Sequence, residues 1–240
     1  MFLIFKETGV FESQFIDDKD LFIAATDEVG RGPLAGPVVA ACVTVSGNLE
    51  GLCTLISYLE KLGITDSKKL NHKKRRRILN DLNINFENKL FWKFKIEQCQ
   101  IKIAVDEKSR DYIDEHNILQ SSLVAMRDAF LKTLENSFKG SARGVVLIDG
   151  NKNFAPVDKN IRLLPVVKGD TKATLIGLAS IVAKVYRDEL MGHIAKKYPH
   201  YGFEKNSGYP TQMHRDAIKQ HGITPFHRLS FKGVKEFVLP

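Results

Sequence analysis

The stretch Leu21-Phe22-Ile23-Ala24-Ala25-Thr26-Asp27-Glu28-Val29-Gly30-Arg31-Gly32-Pro33-Leu34-Ala35-Gly36-Pro37-Val38 decides how the chain reads. An apolar run over 21–26 delivers two adjacent carboxylates to a glycine-rich bend, and a second apolar run follows from Val38 to Val45. The pattern predicts strands over 21–27 and 37–45, punctuated by Gly30, Gly32, Pro33 and Gly36. Aspartate and glutamate are seldom fully buried unless paired or bound to a metal. The two acids therefore point to a cation, and Arg31 beside them points to an anion that shares it.

Working outward, the alternation of Trp92, Phe94 and Ile96 with Lys93, Lys95 and Glu97 predicts a strand with one wet face. Two further strands are expected over 144–148 and 161–167. Asn71 can cap a basic helix over 72–82. A second helix is expected over 118–134 with Leu119, Leu123, Met126, Phe130 and Leu134 on one face, and a third over 172–196, stopped by Pro199. A Tyr/Gly/Pro-rich loop and a short helix over 211–220 close the chain. The order predicts an α/β sheet with helices on its faces, and the last 45 or so residues read as a helical appendage. Residues 1–19 read as a peripheral segment, 20–195 as the α/β core and 196–240 as an extension belonging to the same unit.

A chain of 240 residues, 43% hydrophobic and 27% charged, can bury a full core and is of ordinary globular composition. Its net charge of +8 favours a polyanionic partner, nucleic acid before an anionic membrane surface. Cys42, Cys53 and Cys99 are odd in number and lack CxxC spacing, which suits a reduced compartment and argues against a disulfide framework or a zinc site. No run approaches the roughly 18 apolar residues of a membrane span. Met1-Phe2-Leu3-Ile4-Phe5 lacks the basic flank and long apolar core of a signal peptide. The expectation is a soluble, cytoplasmic monomer.

Four acids share one context, the end of a predicted apolar strand or the start of a helix: Asp27, Glu28, Asp149 and Asp170. In α/β sheets, sites collect beyond the carboxyl ends of strands. Carboxylates converging there repel one another unless divalent cations neutralise them, and oxygen-only ligation suits Mg²⁺ or Mn²⁺. Two such ions about 3.5–4 Å apart form the usual clamp for in-line attack on a phosphodiester. Taken singly, Asp149-Gly150 also reads as a hairpin turn and Asp170 as a helix N-cap. Adjacent strand residues point to opposite faces, so Asp27 and Glu28 reach one metal pair only if the strand breaks there. The glycines at 30 and 32 offer that break.

Gly30-Arg31-Gly32 would let backbone approach a ligand closely and pair amides with a guanidinium on a nucleic-acid backbone. A tight turn with one solvated arginine is the plainer reading of that tripeptide. In the densest basic run, Ser67 and Lys68 precede the helix over 72–82, where phosphate binds readily, whereas Arg75, Arg76 and Arg77 point in three directions. Lys184 and Arg187 sit one turn apart, and Asp188 can pair with Lys184. Tyr201, Tyr209, His214, His227 and Arg228 cluster in the appendage, where an aromatic ring can stack on a sugar or base. Hydrogen-bonded packing is the expectation for Tyr201, His214 and His227.

The segments DEVGRGPLAGPVVAA, TDSKKL, LIDG, VKGD, ASIVAKVYRD, GYPTQMH and HRLSF, in that order, resemble bacterial ribonuclease HII from about residue 21 to 233. The resemblance implies a ribonuclease H-like fold, a five-stranded mixed sheet flanked by helices with a C-terminal helical extension. It implies cutting of the RNA strand in RNA/DNA hybrids and incision 5′ of single ribonucleotides in duplex DNA, leaving 3′-hydroxyl and 5′-phosphate ends. By position, Asp27, Glu28, Asp149 and Asp170 match the metal-binding acids. Gly30, Arg31 and Gly32 match the motif that senses the 2′-hydroxyl, Tyr209 the tyrosine that stacks on the sugar, and Ser67 and Lys68 positions near substrate phosphates. Relative to the family's pattern about four residues are added around 151–160, ahead of the loop carrying Asp170, and Ser121-Ser122 replaces a more alanine-like face. The relative ribonuclease HIII typically carries lysine at the position of Arg31 and a further N-terminal domain. A binding module without catalysis is the alternative from another class. A replication clamp is a further candidate partner for the tail Phe237-Val238-Leu239-Pro240, which also reads as a loose end.

Overall fold

The protein is seen in a computed structural model that describes residues 10–17, 20–64, 70–87, 89–134 and 143–238. The two apolar runs flanking the bend become β1 (Phe22–Val29) and β2 (Val38–Ser46), antiparallel with Thr26 opposite Cys42. Helices α1 (Leu49–Lys61) and α2 (His72–Asp81) follow, capped by Asn48 and, as expected, by Asn71. A hairpin of β3 (Phe91–Ile96) and β4 (Cys99–Lys108) leads to helices α3 (Arg110–His116) and α4 (Ile118–Leu134). Strands β5 (Gly144–Asp149) and β6 (Ile161–Val166) precede a 3-10 turn, Gly169–Thr171, and the long helix α5 (Thr174–Lys197). Short helix α6 (Phe203–Asn206) and α7 (Gln212–His221) lie in the extension.

The strands form one sheet in the order β3-β4-β2-β1-β5-β6, with β1–β5 and β5–β6 parallel and the other pairs antiparallel. The mixed sheet flanked by helices agrees with expectation, but it has six strands where five were implied. The missed strand is β4. Its hairpin turns at Glu97, whose φ of 50° is left-handed without a glycine or asparagine, so no residue there announces a turn. Its charges also look solvent-facing in sequence and are not. Lys102 is buried and donates to the Thr133 carbonyl at 3.1 Å, and Asp106 is held by Lys108 at 2.7 Å and Lys132 at 2.8 Å.

Strand alternation sorts the core into two layers. Phe22 and Ala24 of β1 pack with Met126, Ala129 and Phe130 of α4, while Ile23 and Ala25 join Leu178, Ile181 and Val182 of α5 on the opposite face. Helix α5 is apolar on several sides because it is covered on several sides. Its first half lies against the sheet and against Ile78 and Leu79 of α2, and its second half gives Met191, Ile194 and Ala195 to a third cluster. That cluster holds the extension, through Tyr201, Phe203 and Ile218, against Leu34 and Ala35 of the bend. Backbone bonds from Leu34 to Gly208 (2.8 Å), Arg228 to Leu34 (2.8 Å) and Gly36 to Phe226 (2.9 Å) seal the junction.

Residues 10–17 also pack on this core. Ala173, at the N-cap of α5, offers no side-chain acceptor. Glu12 supplies one from far along the chain, its Oε1 accepting the Leu175 N–H at 2.9 Å. Burial pushes the Glu12 carboxyl up to about 7; the Leu175 amide pulls it down and nearby Glu60 pushes it further up. Because the folded value lies above the ordinary 4.5, the fold holds this proton more tightly than the unfolded chain does. The associated stability is complete below pH 4.5 and is lost as pH rises through 7. Glu12→Gln keeps an acceptor and cannot titrate. Between pH 4.5 and about 8, the wild type should lose roughly 3 kcal/mol relative to Glu12→Gln in urea unfolding. Parallel stability profiles for the two proteins would refute this assignment.

Candidate active site

The site forms where β1 and β5 end side by side. Their parallel register pairs Ile23 with Val145, Ala25 with Leu147 and Thr26 with Ile148. One step further, Asp27 and Asp149 fall next to each other on the face that carries α5, about 4.8 Å apart between strands. Strand β1 continues through Val29, so the break offered by the glycines comes after both acids. Glu28 accordingly leaves the opposite face. It lines a cavity of about 240 Å³ with Arg31, Ser122, Met126, Asp149 and Lys152. Asp149, as the last residue of β5, is the acid that both neighbours feel.

The electrostatics follow from burial. Asp27 is 6% exposed. Desolvation holds its carboxyl well above the usual aspartate range, and repulsion from Glu28 and Asp149 adds to the effect. The Ser180 hydroxyl and the Lys184 ammonium pull the other way. Lys184 Nζ in turn donates to Ser180 Oγ at 2.9 Å, which ties it to the acid cluster. Glu28 is likewise raised by desolvation, opposed by Arg31 and reinforced by Asp149. The Arg31 guanidinium lies 3.4 Å from Glu28 and is half exposed.

Asp170 is 2% exposed in the 3-10 turn that follows left-handed Lys168, φ 57°. Asp149 Oδ1 accepts the Gly169 N–H at 2.7 Å and the Asp170 N–H at 3.4 Å, which ties this turn to the end of β5. A Cβ on Gly169 would stand 2.5 Å from Ile176 and 3.1 Å from that same oxygen. Both plain readings of these acids fail. A hairpin at Asp149-Gly150 is excluded because β5 and β6 are parallel, and the N-cap position of α5 is Ala173, not Asp170.

Among the described residues, no three His, Cys, Asp or Glu side chains stand together as a finished metal cage. The donor set nonetheless fits hard divalent ions, being carboxylate oxygen throughout. Crowded carboxyls, with Asp27 and Glu28 raised by desolvation and by repulsion from Asp149, are an arrangement that a cation relieves. Asp27 and Asp149, side by side on adjoining strands, are candidates for one ion, with Glu28 and Asp170 beside them.

The bend lies next to this pair. Gly30 has φ 92°. A Cβ on Gly32 would touch the Tyr209 ring at 3.4 Å, so the extension lays a 44% exposed aromatic beside the bend. A chain of hydrogen bonds fixes Tyr209 from behind. Thr224 N–H donates to His227 Nδ1 at 2.8 Å, which leaves His227 Nε2–H to donate to His214 Nε2 at 3.0 Å. His214 Nδ1–H then reaches the Tyr209 carbonyl at 3.0 Å. Both imidazoles are fully buried, and burial lowers both, His227 to about 4, so the relay is neutral. Hydrogen-bonded packing was the expectation for both.

Ser67 and Lys68 lie outside the described residues. Of the basic run, Arg76 pairs with Glu189 of α5 and Arg77 lies 3.9 Å from Asp81, so part of it is structural. Residues 151–160 cross between β5 and β6, with Phe154 buried against Phe130. Ser122, whose hydroxyl bonds the Leu119 carbonyl at 3.0 Å, also lines the cavity at Glu28, a role that its place on α4 does not reveal in sequence. Ser180 was missed for the same reason. No helix among the described residues is long and apolar enough to cross a membrane.

A family model described as ribonuclease HII matches residues 24–234. The chain is 43% identical over 216 residues to ribonuclease HII of Desulfotalea psychrophila, covering 90% of this chain and 83% of that one. It is 40% identical over 237 residues to ribonuclease HII of Chlamydia muridarum, covering 98% and 94%. Among solved structures, ribonuclease H2 from Pyrococcus horikoshii shares the fold with a TM-score of 0.62 at 23% identity, over 90% of this chain and 96% of that one.

Proposed function

The chain belongs to the ribonuclease HII family, and from that premise we propose that it incises duplex DNA on the 5′ side of a single embedded ribonucleotide. Membership makes it a metal-dependent endoribonuclease acting on the RNA of RNA/DNA hybrids. In the proposed mechanism Asp27, Glu28, Asp149 and Asp170 hold two divalent ions, Mg²⁺ or Mn²⁺, and although no strand break brings Asp27 and Glu28 to one face, Asp149 at the end of β5 adjoins both and links them. When bound, such ions ready a water for attack and stabilise the leaving oxygen. Water adds to phosphorus, the bond to the 3′-oxygen breaks, and the ends are a 3′-hydroxyl and a 5′-phosphate.

The chain's own groups bind and orient. Ser180 by its hydrogen bond and Lys184 by its charge both favour the ionised form of Asp27. Arg31 grips a backbone phosphate while Glu28 restrains its guanidinium. The Gly30–Gly32 backbone meets the 2′-hydroxyl, the group that separates ribose from deoxyribose. Tyr209 stacks on the sugar, and Ser67 and Lys68 add phosphate contacts. The core over 20–195 and the extension over 196–240 act as one unit, since the extension carries the tyrosine.

The observation that carries this reading is that Asp27 and Asp149 each follow directly on the paired residues Thr26 and Ile148 of adjoining strands, beside a bend against which Tyr209 lies. A labelled duplex with one ribonucleotide, incubated with and without Mg²⁺ or Mn²⁺, tests it. Expected is a single metal-dependent cut immediately 5′ of the ribose, absent from an all-DNA control. Cleavage confined to runs of several ribonucleotides would overturn it.

A further inference from the structure

Two guanidiniums lie behind the bend, Arg187 of α5 at 1% exposure and Arg228 of the extension at 0%. Their hydrogen bonds go to backbone carbonyls and not to carboxylates. Arg228 donates through Nη2 to Gly30 O at 2.6 Å, through Nη1 to Arg31 O at 3.0 Å and through Nε to Gly36 O at 3.0 Å. Arg187 donates through Nη2 to Ala35 O at 3.2 Å, through Nε to Pro37 O at 3.1 Å and through Nη1 to Ser207 O at 2.9 Å. Five carbonyls between residues 30 and 37 are thus turned inward by two side chains from distant parts of the chain.

Burying two like charges with no carboxylate in hydrogen-bond contact is expensive, and Asp188 near Arg187 and Asp114 near Arg228 offset it only from a distance. Desolvation lowers both groups, Arg187 to about 10 and Arg228 to about 9, and Arg228 is lowered further by Arg187's charge. Packing alone would be served better by leucine or methionine. What only a guanidinium supplies is a rigid fork of donors that fixes several carbonyls at once.

The geometry has a direct consequence for the bend. In a trans peptide the C=O and the following N–H point in opposite directions. With the Gly30 and Arg31 carbonyls held inward, the Arg31 and Gly32 amides must face outward. Among the described residues, neither amide donates a backbone hydrogen bond. Gly30 itself is a glycine for Arg187's sake as much as for a ligand's, because a Cβ there would stand 2.3 Å from Arg187 Nε.

We propose that Arg187 and Arg228 are positioning residues that set the Arg31 and Gly32 amides toward the nucleic acid and thereby determine discrimination for ribose. This rests on the ribose-sensing role given to the bend above. Arg228→Lys keeps the charge but cannot span three carbonyls. If it folds, incision at a single ribonucleotide should fall roughly tenfold or more, the worth of one or two amide hydrogen bonds. The Mn²⁺ concentration giving half-maximal rate should stay near the wild-type value, because the acids lie on the strands. Retention of ribose-dependent incision within twofold, or a matching loss of metal response, would overturn the proposal. Should the variant not fold, NMR on the wild type decides. The Arg31 and Gly32 amides should exchange rapidly when free and become protected by a duplex with one ribonucleotide, with divalent ions withheld, but not by all-DNA duplex. Amides protected in the free protein, or equally by both duplexes, would overturn it. A wild type that never cuts at a lone ribose would instead remove the reading beneath, which the variant comparison cannot mimic.

Discussion

Asp149→Asn should lower the rate of incision by roughly 10²–10³-fold, the scale on which removing one preorganised electrostatic contact acts, while duplex binding stays near wild type. The substitution is nearly isosteric. Asparagine retains an Oδ1 that can accept the Gly169 N–H now bonded at 2.7 Å, so the turn carrying Asp170 keeps its tether. What changes is charge at the one position coupled to both Asp27 and Glu28. Without that repulsion the carboxyls of residues 27 and 28 move down toward their ordinary range. Any gain in their ionisation is outweighed by the lost ligand. Single-turnover incision and fluorescence anisotropy of a labelled duplex separate rate from binding. A protein whose acids served only as turns and caps would lose little of either, and a rate within a few-fold of wild type would mean just that.

Gly30→Ala should destabilise the fold by roughly 3 kcal/mol or more. A left-handed conformation costs a non-glycine residue about 1–2 kcal/mol, and overpacking of a filled core adds about 1–3 kcal/mol. The new methyl would lie 2.3 Å from Arg187 Nε and 2.8 Å from its Cδ, and Arg187 is pinned by three carbonyl bonds with no route to solvent. Gly150→Ala provides the control. Its φ of 102° imposes similar strain, but nothing lies within 4 Å of the added methyl. Urea unfolding of both variants isolates the steric part. Equal losses at the two positions would show that Arg187 gives way freely, and the account of a rigid bend would fail.

The elements legible in the sequence were those whose ends carry a physical signal. Helix α4 follows from its apolar spacing, and α2 from Asn71 as a cap. Strands β1 and β2 follow from apolar runs stopped by Gly30 and resumed at Val38. Strand β4 was illegible because Glu97 turns the chain without a turn residue and because Lys102 and Asp106 find buried partners only after folding. Helix α1 carried its cap and the buried row Leu52, Leu55, Ile56, Leu59, and was passed over all the same.

At the site, the acids announced themselves because carboxylates gathered at the ends of apolar strands are costly to bury without a cation. Their partners did not. Ser180 and Lys184 act across distances that only the packed helix α5 creates. The burial of Arg187 and Arg228 has no signal in the sequence, because arginine is almost never fully buried. The glycines of the bend were ascribed to ligand approach, whereas Gly30 is also required from inside. Spacing along one strand can place charges but cannot say which side chains fill the space behind them.

The most direct test of the central claim is crystallographic. Crystals of a rate-impaired Asp149→Asn protein and of wild type, each soaked in Mn²⁺, would be compared by anomalous scattering. Wild type should show density bounded by Asp27, Glu28, Asp149 and Asp170, weakened or partly lost in the variant. Anomalous density elsewhere on the protein, with none among these four carboxylates at saturating Mn²⁺, would contradict the account.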